Sequence, residues 1–321
     1  MDAAQNVLAG LESAILVDDD PQRAVDLFLE DSADALFELR SGHSLLQARI
    51  GDRWDDAFDL YELFRAGCFA LAQRAWAPEQ ADNRTALERR IAVRLLFVRA
   101  YVTAGEILAL VRTGYANGAV ARWRTMHEVE VQATLLAGAT DDTVRRYGDQ
   151  VAYQLWRTLE TYERHHEELG WEPLPADELR TIRERGEDVR REYRGRLSRG
   201  GYEWSRRELT EDFPQLTDDA VAVQLRHLEE HVGLTAHRAL YRLASDAVHA
   251  GWKAARGYEL LLEPDELSVG WETQATLSSL KATLDAYLEL HELAAPRELA
   301  DAFEELFGRA HAAFAGPAEI E

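Results

Sequence analysis

The stretch Asp52-Arg-Trp-Asp-Asp-Ala-Phe-Asp-Leu-Tyr-Glu-Leu-Phe-Arg-Ala-Gly-Cys-Phe-Ala-Leu-Ala-Gln-Arg-Ala-Trp-Ala77 carries Trp54, Phe58, Tyr61, Phe64, Cys68 and Leu71 at steps of three and four residues. Each helical residue turns the chain by about 100°, so these six side chains share one face and read as a core-facing helix. Moving toward the N-terminus, 2–17 and 21–40 read as two further helices joined across Asp18-Asp19-Asp20-Pro21. Proline is well placed at a helix start, where its missing N–H would have no partner in any case. Moving toward the C-terminus, the periodicity predicts helices over 83–113, 119–137 and 141–169, with a turn at Gly114-Tyr115-Ala116-Asn117-Gly118. After the breaker Gly170-Trp171-Glu172-Pro173-Leu174-Pro175 comes a polar helix over 176–196, then an irregular stretch, 198–214. Thr217-Asp218-Asp219 reads as the opening of another helix, followed by helices over 235–262 and 271–294 and a last one from Pro296. Strand-type alternation is nearly absent. The prediction is an all-α protein: a multi-helix bundle over residues 83–295, an additional acidic N-terminal helical region over 1–82, and an acidic C-terminal helix over 296–321.

Composition narrows the class. Hydrophobic residues make up 46% of the 321, enough for a core. The most apolar stretch, 91–111, is interrupted by Arg94, Arg99 and Glu106 and reads as a core helix, not a membrane span. One cysteine, Cys68, excludes an internal disulfide and fits a reducing compartment. The opening Met-Asp-Ala-Ala-Gln lacks a basic leader pattern, so the expected location is cytoplasmic with no membrane partner. The net charge is −22, but residues 1–62 and 258–321 each carry −11. The middle, 63–257, balances 29 acids against 29 bases, and Lys253 and Lys281 are the only lysines of the chain. Many forked arginine donors are therefore available for carboxylate or phosphate.

Three patterns carry candidate chemistry. Arg242 and His249 are seven residues apart, which places a permanent cation and a proton-transfer group on one helix face two turns apart. Ser245 fills the turn between them, and Asp246 precedes His249 by three residues, placed to orient its ring. On a ribose phosphodiester, His249 would move the 2′-hydroxyl proton and Arg242 would stabilise charge on the phosphate. The same spacing serves equally as a packing face, with Arg242 ion-paired and His249 hydrogen-bonded in the core. Second, Arg124 and Glu128 are four apart with apolar flanks. Either they form a helix-surface pair, or Glu128 faces inward and holds Arg242 or His249 of a neighbouring helix. Third, Arg190, Arg191, Arg194, Arg196, Arg199, Arg206 and Arg207 form a basic island interleaved with Tyr193, Tyr202 and Trp204. Cations for phosphate and aromatic faces for bases suit single-stranded RNA, although a solvated loop or one docking on an acidic partner reads the same way.

A metal centre is a weaker alternative, built on Glu163-x2-His166 and Asp246-x2-His249 with Glu128 and Glu106. There is no H-E-x2-H, no paired C-x2-C, no phosphate-binding or dinucleotide glycine motif and no nucleophile elbow. No metal and no cofactor are expected.

Arg124-x3-Glu128 and Tyr241-Arg242-x2-Ser245-x3-His249 resemble an uncharacterised bacterial helical-bundle family that pairs an early R-x3-E helix with a late Y-x3-S-x3-H helix, over about residues 90–262. The pattern is also similar to the HEPN superfamily, whose ribonucleases carry R-x4–6-H on a late helix. Leu243 stands where those motifs often have a polar residue. The resemblance implies a metal-independent endoribonuclease acting as a toxin or antiviral defence effector, leaving a 2′,3′-cyclic phosphate. It places Arg242 and His249 at the catalytic positions and the site between two protomers of a homodimer. RNA and a neutralising or defence-system protein are the implied partners. The alternative is a non-enzymatic all-α binding or scaffold protein that uses the same residues as a buried polar network.

Overall fold

A computed structural model describes residues 2–17, 20–30, 32–76, 81, 83–193, 196–198, 200–248, 269–291 and 297–315. Among the described residues there are α-helices and short 3-10 turns and no strand, so the all-α prediction holds. The helices are α1 Asp2–Val17, α2 Pro21–Glu30, α3 Ala33–Ala75, α4 Arg84–Arg112, α5 Ala116–Gly138, α6 Asp141–His165, α7 Ala176–Glu192, α8 Arg206–Leu209, α9 Leu225–His231, α10 Arg238–Val248, α11 Val269–Glu289 and α12 Arg297–Ala313. None is long and apolar enough to cross a membrane.

Local chemistry sets the ends that matter. Asn83 caps α4, its side-chain oxygen accepting from Ala86 N at 2.9 Å. Gly114 closes α4 with φ +81°. Gly114 N donates to Val111 O and Tyr115 N to Leu110 O, the paired bonds of a left-handed helix stop. A Cβ at Gly114 would lie 2.6 Å from Leu46 Cδ2. The helix expected over 21–40 divides instead. α2 ends at Glu30, where Ser32 Oγ bonds back to Leu29 O at 2.9 Å, and α3 then runs unbroken to Ala75. The helix expected from Thr217 is also displaced. Residues Pro214–Thr217 form a 3-10 turn, Asp218 accepts from Ala220 N, and α9 starts only at Leu225. Its cap is Gln224, whose backbone N–H donates to His227 Nδ1 at 3.1 Å.

The core is built on α4, α5 and α11, which pack on one another, with α3 and α12 along one side, α6 and α7 on the other, and α10 across α5. α11 presents a buried seam of Thr273, Thr276, Ser279 and Thr283. Thr273 and Thr283 turn their hydroxyls back to carbonyls four residues earlier, which satisfies them and leaves a narrow face for close helix approach. The apolar core is continuous across residue 83. Tyr61 Oη of α3 donates to Ala104 O of α4 at 2.8 Å, and Tyr287 Oη of α11 donates to Ala72 O at 3.2 Å. It is also continuous across residue 296, because Phe314, just past α12, stacks on Trp54 with ring centroids 5.6 Å apart.

Candidate functional site

α5 and α10 bring the two sequence motifs together. Arg124 Nη2 lies 3.1 Å from Glu128 Oε1 along α5. Tyr241 of α10 donates its hydroxyl to the same Glu128 oxygen at 2.6 Å and accepts from Arg124 Nε at 3.0 Å. The guanidinium also sits over the Tyr241 ring, 5.1 Å from its centroid. Glu128 therefore does engage the neighbouring helix, but through Tyr241; Arg242, one helical step further round, points to solvent. Burial first, then the bond to Glu128, pushes the Tyr241 phenol up to about 12. Tyr202 is raised further, by burial and then by the Glu128 charge. Both phenols thus keep their protons at neutral pH. For Arg124, burial acts to lower the pKa, but the Tyr241 bond and the Glu128 charge prevail and raise it.

Glu128 opens onto a cleft of about 410 Å³ between α4, α5, α6 and the segment 201–204, lined in part by Arg99, Gln132, Gln150, Gln154 and Tyr202. Arg99 is exposed and makes no ion pair among the described residues.

The catalytic stripe expected on α10 is visible in part. Arg242 is exposed and has no hydrogen-bond or ion-pair partner among the described residues. Ser245 Oγ donates to Tyr241 O at 2.8 Å, so its proton is committed to the helix backbone. Asp246 is exposed. His249 lies outside the described residues.

The basic island is taken apart by the fold. Arg194 and Arg199 lie outside the described residues. Trp204 is 1% exposed and meets the edge of Tyr147, so it offers no face for a base. Arg206 is buried. It forks onto Glu203 at 2.8 and 3.0 Å and donates to Leu216 O at 2.7 Å and Val221 O at 2.6 Å. Glu203 in turn accepts from Val223 N at 3.0 Å. These two residues organise the irregular segment from the inside, a correction to the expectation of a solvent-facing binding loop. Arg191, Arg196 and Arg207 are exposed but ion-paired, with Asp188, Asp219 and Asp142 respectively. Arg190 is exposed without an ion pair among the described residues, and Tyr202 is half-buried at the cleft.

The described members of the alternative metal set do not converge. Glu106 pairs with Arg122, Glu163 accepts from Leu174 N, and His166 Nδ1 faces Glu163 O. A different cluster does form. His127, Glu130 and His237 place one donor atom each within 4.8 Å of one another, and His127 and Glu130 are buried. His127 and Glu130 are spaced three apart on α5, a local signal in the sequence; His237 and the neighbouring Glu229 come from about a hundred residues later and leave none.

No curated protein and no solved structure matches the chain. A family model described as a family of unknown function (DUF5677) matches residues 90–266, from α4 through α10 and beyond, which is more than half of the chain. That span nearly coincides with the one over which the motifs resemble an uncharacterised family. The chain accordingly belongs to the DUF5677 family of unknown function.

Proposed function

We propose that this protein is a HEPN-like, metal-independent endoribonuclease that acts as a toxin or antiviral defence effector in the cytoplasm. The observation that carries the reading is Arg242: an exposed guanidinium without a described partner, on a helix locked to α5 by Tyr241, Glu128 and Arg124. A cation held on a rigid element and left free is what a phosphate needs, since no existing pair has to be broken to bind it. His249, seven residues further along the sequence, takes the ribose 2′-hydroxyl proton, and Asp246 orients its ring. Arg124 and Glu128 act through Tyr241 as positioning residues, and Ser245 braces the helix. The 2′-oxygen attacks the adjacent phosphorus, the 5′-oxygen leaves with a proton, and a 2′,3′-cyclic phosphate remains. The RNA path runs along the cleft beside Glu128, with Arg99 and Tyr202 in place of most of the basic island.

A homodimer is supported by the apolar stripe that α4 leaves exposed, Ile91, Leu95, Val98 and Val102. The alternative, a binding or scaffold protein, is favoured by the burial of Trp204 and Arg206 and the ion pairing of Arg191, Arg196 and Arg207. RNA cleavage by the wild type, Arg242→Ala and His249→Ala separates the two. Losses of about 10²-fold or more are expected for each variant. A 2′-deoxy substitution at the scissile nucleotide should block cleavage outright. Cleavage of the deoxy-substituted strand refutes the 2′-hydroxyl mechanism, and a folded wild type that cuts no RNA leaves the scaffold reading.

A further inference from the structure

We infer that His127, Glu130 and His237 form a binding site for one divalent transition-metal ion of the zinc class, separate from the proposed nuclease chemistry and independent of it. The argument begins with a proton. Glu229 is fully buried, is ion-paired with Arg238 and lies with its Oε1 2.9 Å from His127 Nε2. A carboxylate held ionised by an arginine can only accept, so Nε2 carries the hydrogen and Nδ1 is left with its lone pair. That Nδ1 is buried and has no hydrogen-bond partner. It faces Glu130 Oε2 at 3.5 Å.

A lone pair and a carboxylate set against each other in the interior repel, so a positive charge belongs between them. A second proton on His127 is one candidate, but 3.5 Å is too long for a charge-assisted hydrogen bond, which runs at about 2.7–2.9 Å. A proton there also does nothing for His237, whose Nδ1 is likewise buried without a partner. Glu130 itself is 2% exposed and accepts only the Ser279 hydroxyl, at 2.7 Å, among the hydrogen bonds of the described residues. One neutral donor is little compensation for a buried carboxylate. A metal ion resolves all three groups at once.

The donor set suits the ion. Two imidazoles and one carboxylate match zinc and its borderline neighbours, with a fourth position left for water. The Glu229–His127 bond is the carboxylate–histidine support that metal-ligating histidines ordinarily have. Bonds of about 2.0–2.2 Å in a tetrahedron set donors about 3.3 Å apart, so the cluster must tighten on binding. His237 sits half-buried in a one-turn 3-10 segment ahead of α10 and is the member best able to move in. Binding ties the start of α10 to α5.

Cobalt(II) titration of the chelator-stripped, full-length protein tests this. One equivalent should bind, with the visible d–d absorption of a four-coordinate ion, and zinc should displace it and raise the melting temperature. His237→Ala and Glu130→Gln should each weaken binding at least tenfold, and Glu229→Gln by about 10–100-fold. Nitrogen-15 imidazole spectra of the wild type give a readout that does not depend on variants folding: zinc should shift His127 Nδ1 and a His237 ring nitrogen. The proposal is overturned by a wild type that binds no stoichiometric cobalt, by binding unchanged in both ligand variants, or by a His127 ring doubly protonated and unmoved by zinc. None of these readouts involves RNA, so a failure here and a failure of the nuclease reading are told apart.

Discussion

Replacing Arg206 by alanine separates a structural from an RNA-contact role for the basic island. The guanidinium neutralises Glu203, which is 2% exposed, and satisfies the carbonyls of Leu216 and Val221. Its removal leaves a buried carboxylate with Val223 N as the remaining donor shown, together with two carbonyls stripped of a charged donor. Breaking a buried pair from one side costs about 3–5 kcal/mol, because the surviving charge cannot recover its hydration. At the roughly 2 °C per kcal/mol appropriate to a chain of this size, the melting temperature should fall by about 6–10 °C. Arg206→Lys should be intermediate, since an ammonium keeps the charge but lacks the planar fork that spans Glu203 and two carbonyls. The double change Glu203→Gln with Arg206→Met should be milder than the sum of the single ones, with a coupling energy of about 2 kcal/mol or more. Urea unfolding of these variants and of the single changes Glu203→Gln and Arg206→Met, with Arg191→Ala as an exposed control within about 0.5 kcal/mol of wild type, measures all of this. An Arg206→Ala protein within about 1 kcal/mol of wild type, or one that loses RNA affinity at unchanged stability, refutes the structural assignment.

Other expectations follow from single features. Gly114→Ala should cost about 1–2 kcal/mol in urea unfolding, because φ +81° is strained for any side chain and the new Cβ meets Leu46; an unchanged midpoint contradicts this. Burial first, then Arg90 and Arg94, lowers the His291 pKa, so the folded state prefers the neutral ring. The unfolded chain then takes up this proton first as pH falls below about 6.5, so the His291 contribution to stability should be constant above that value and decline beneath it. His291→Gln should flatten the acid side of a melting-temperature profile, and an equally steep decline in the variant counts against the assignment. Leu95→Glu on the exposed α4 stripe should convert a dimer to a monomer in sedimentation equilibrium; a dimer that persists places the contact elsewhere.

What the sequence made legible was local. Trp54, Phe58, Tyr61 and Phe64 are fully or nearly fully buried because helical spacing alone decides which face they share. Asn83 and Gly114 end α4 where cap chemistry says they must, since the groups involved are within five residues of each other. That Arg206 and Trp204 of the island lie inside the protein was not legible, because composition counts arginines without saying which one is enclosed. Arg206 is enclosed by carbonyls ten and fifteen residues downstream, and those positions show no pattern until the chain turns back. The Arg124–Glu128 pair was legible as a shared face, but its partner Tyr241 lies 113 residues from Glu128 and emerges only from the packing of α10 on α5. The division between α2, which ends at Glu30, and α3, which starts at Ala33, was missed for a different reason: the helical periodicity on either side of it hardly changes.

α5 explains why these features occur together. Glu128 and Glu130 are two residues apart, about 200° around the helix, so one carboxylate faces the cleft and the other the interior. Each draws a different helical neighbour: Arg124 four residues before Glu128, and His127 three before Glu130. Each also faces a residue of α10 or of the turn just before it. The route is set by Gly233, whose φ of +75° lets Leu234 N reach back to Glu229 O and end α9 sharply. The chain then passes His237 at the buried cluster and, one turn later, Tyr241 at Glu128. The edge-on packing of His237 against Trp123 and His127 and, one turn later, the Tyr241 hydrogen bonds hold α10 against α5 at two points. With Tyr241 turned inward by that pair of restraints, the next residue must turn outward, and the exposure of Arg242 is a consequence of how α5 is loaded rather than an accident of a surface helix.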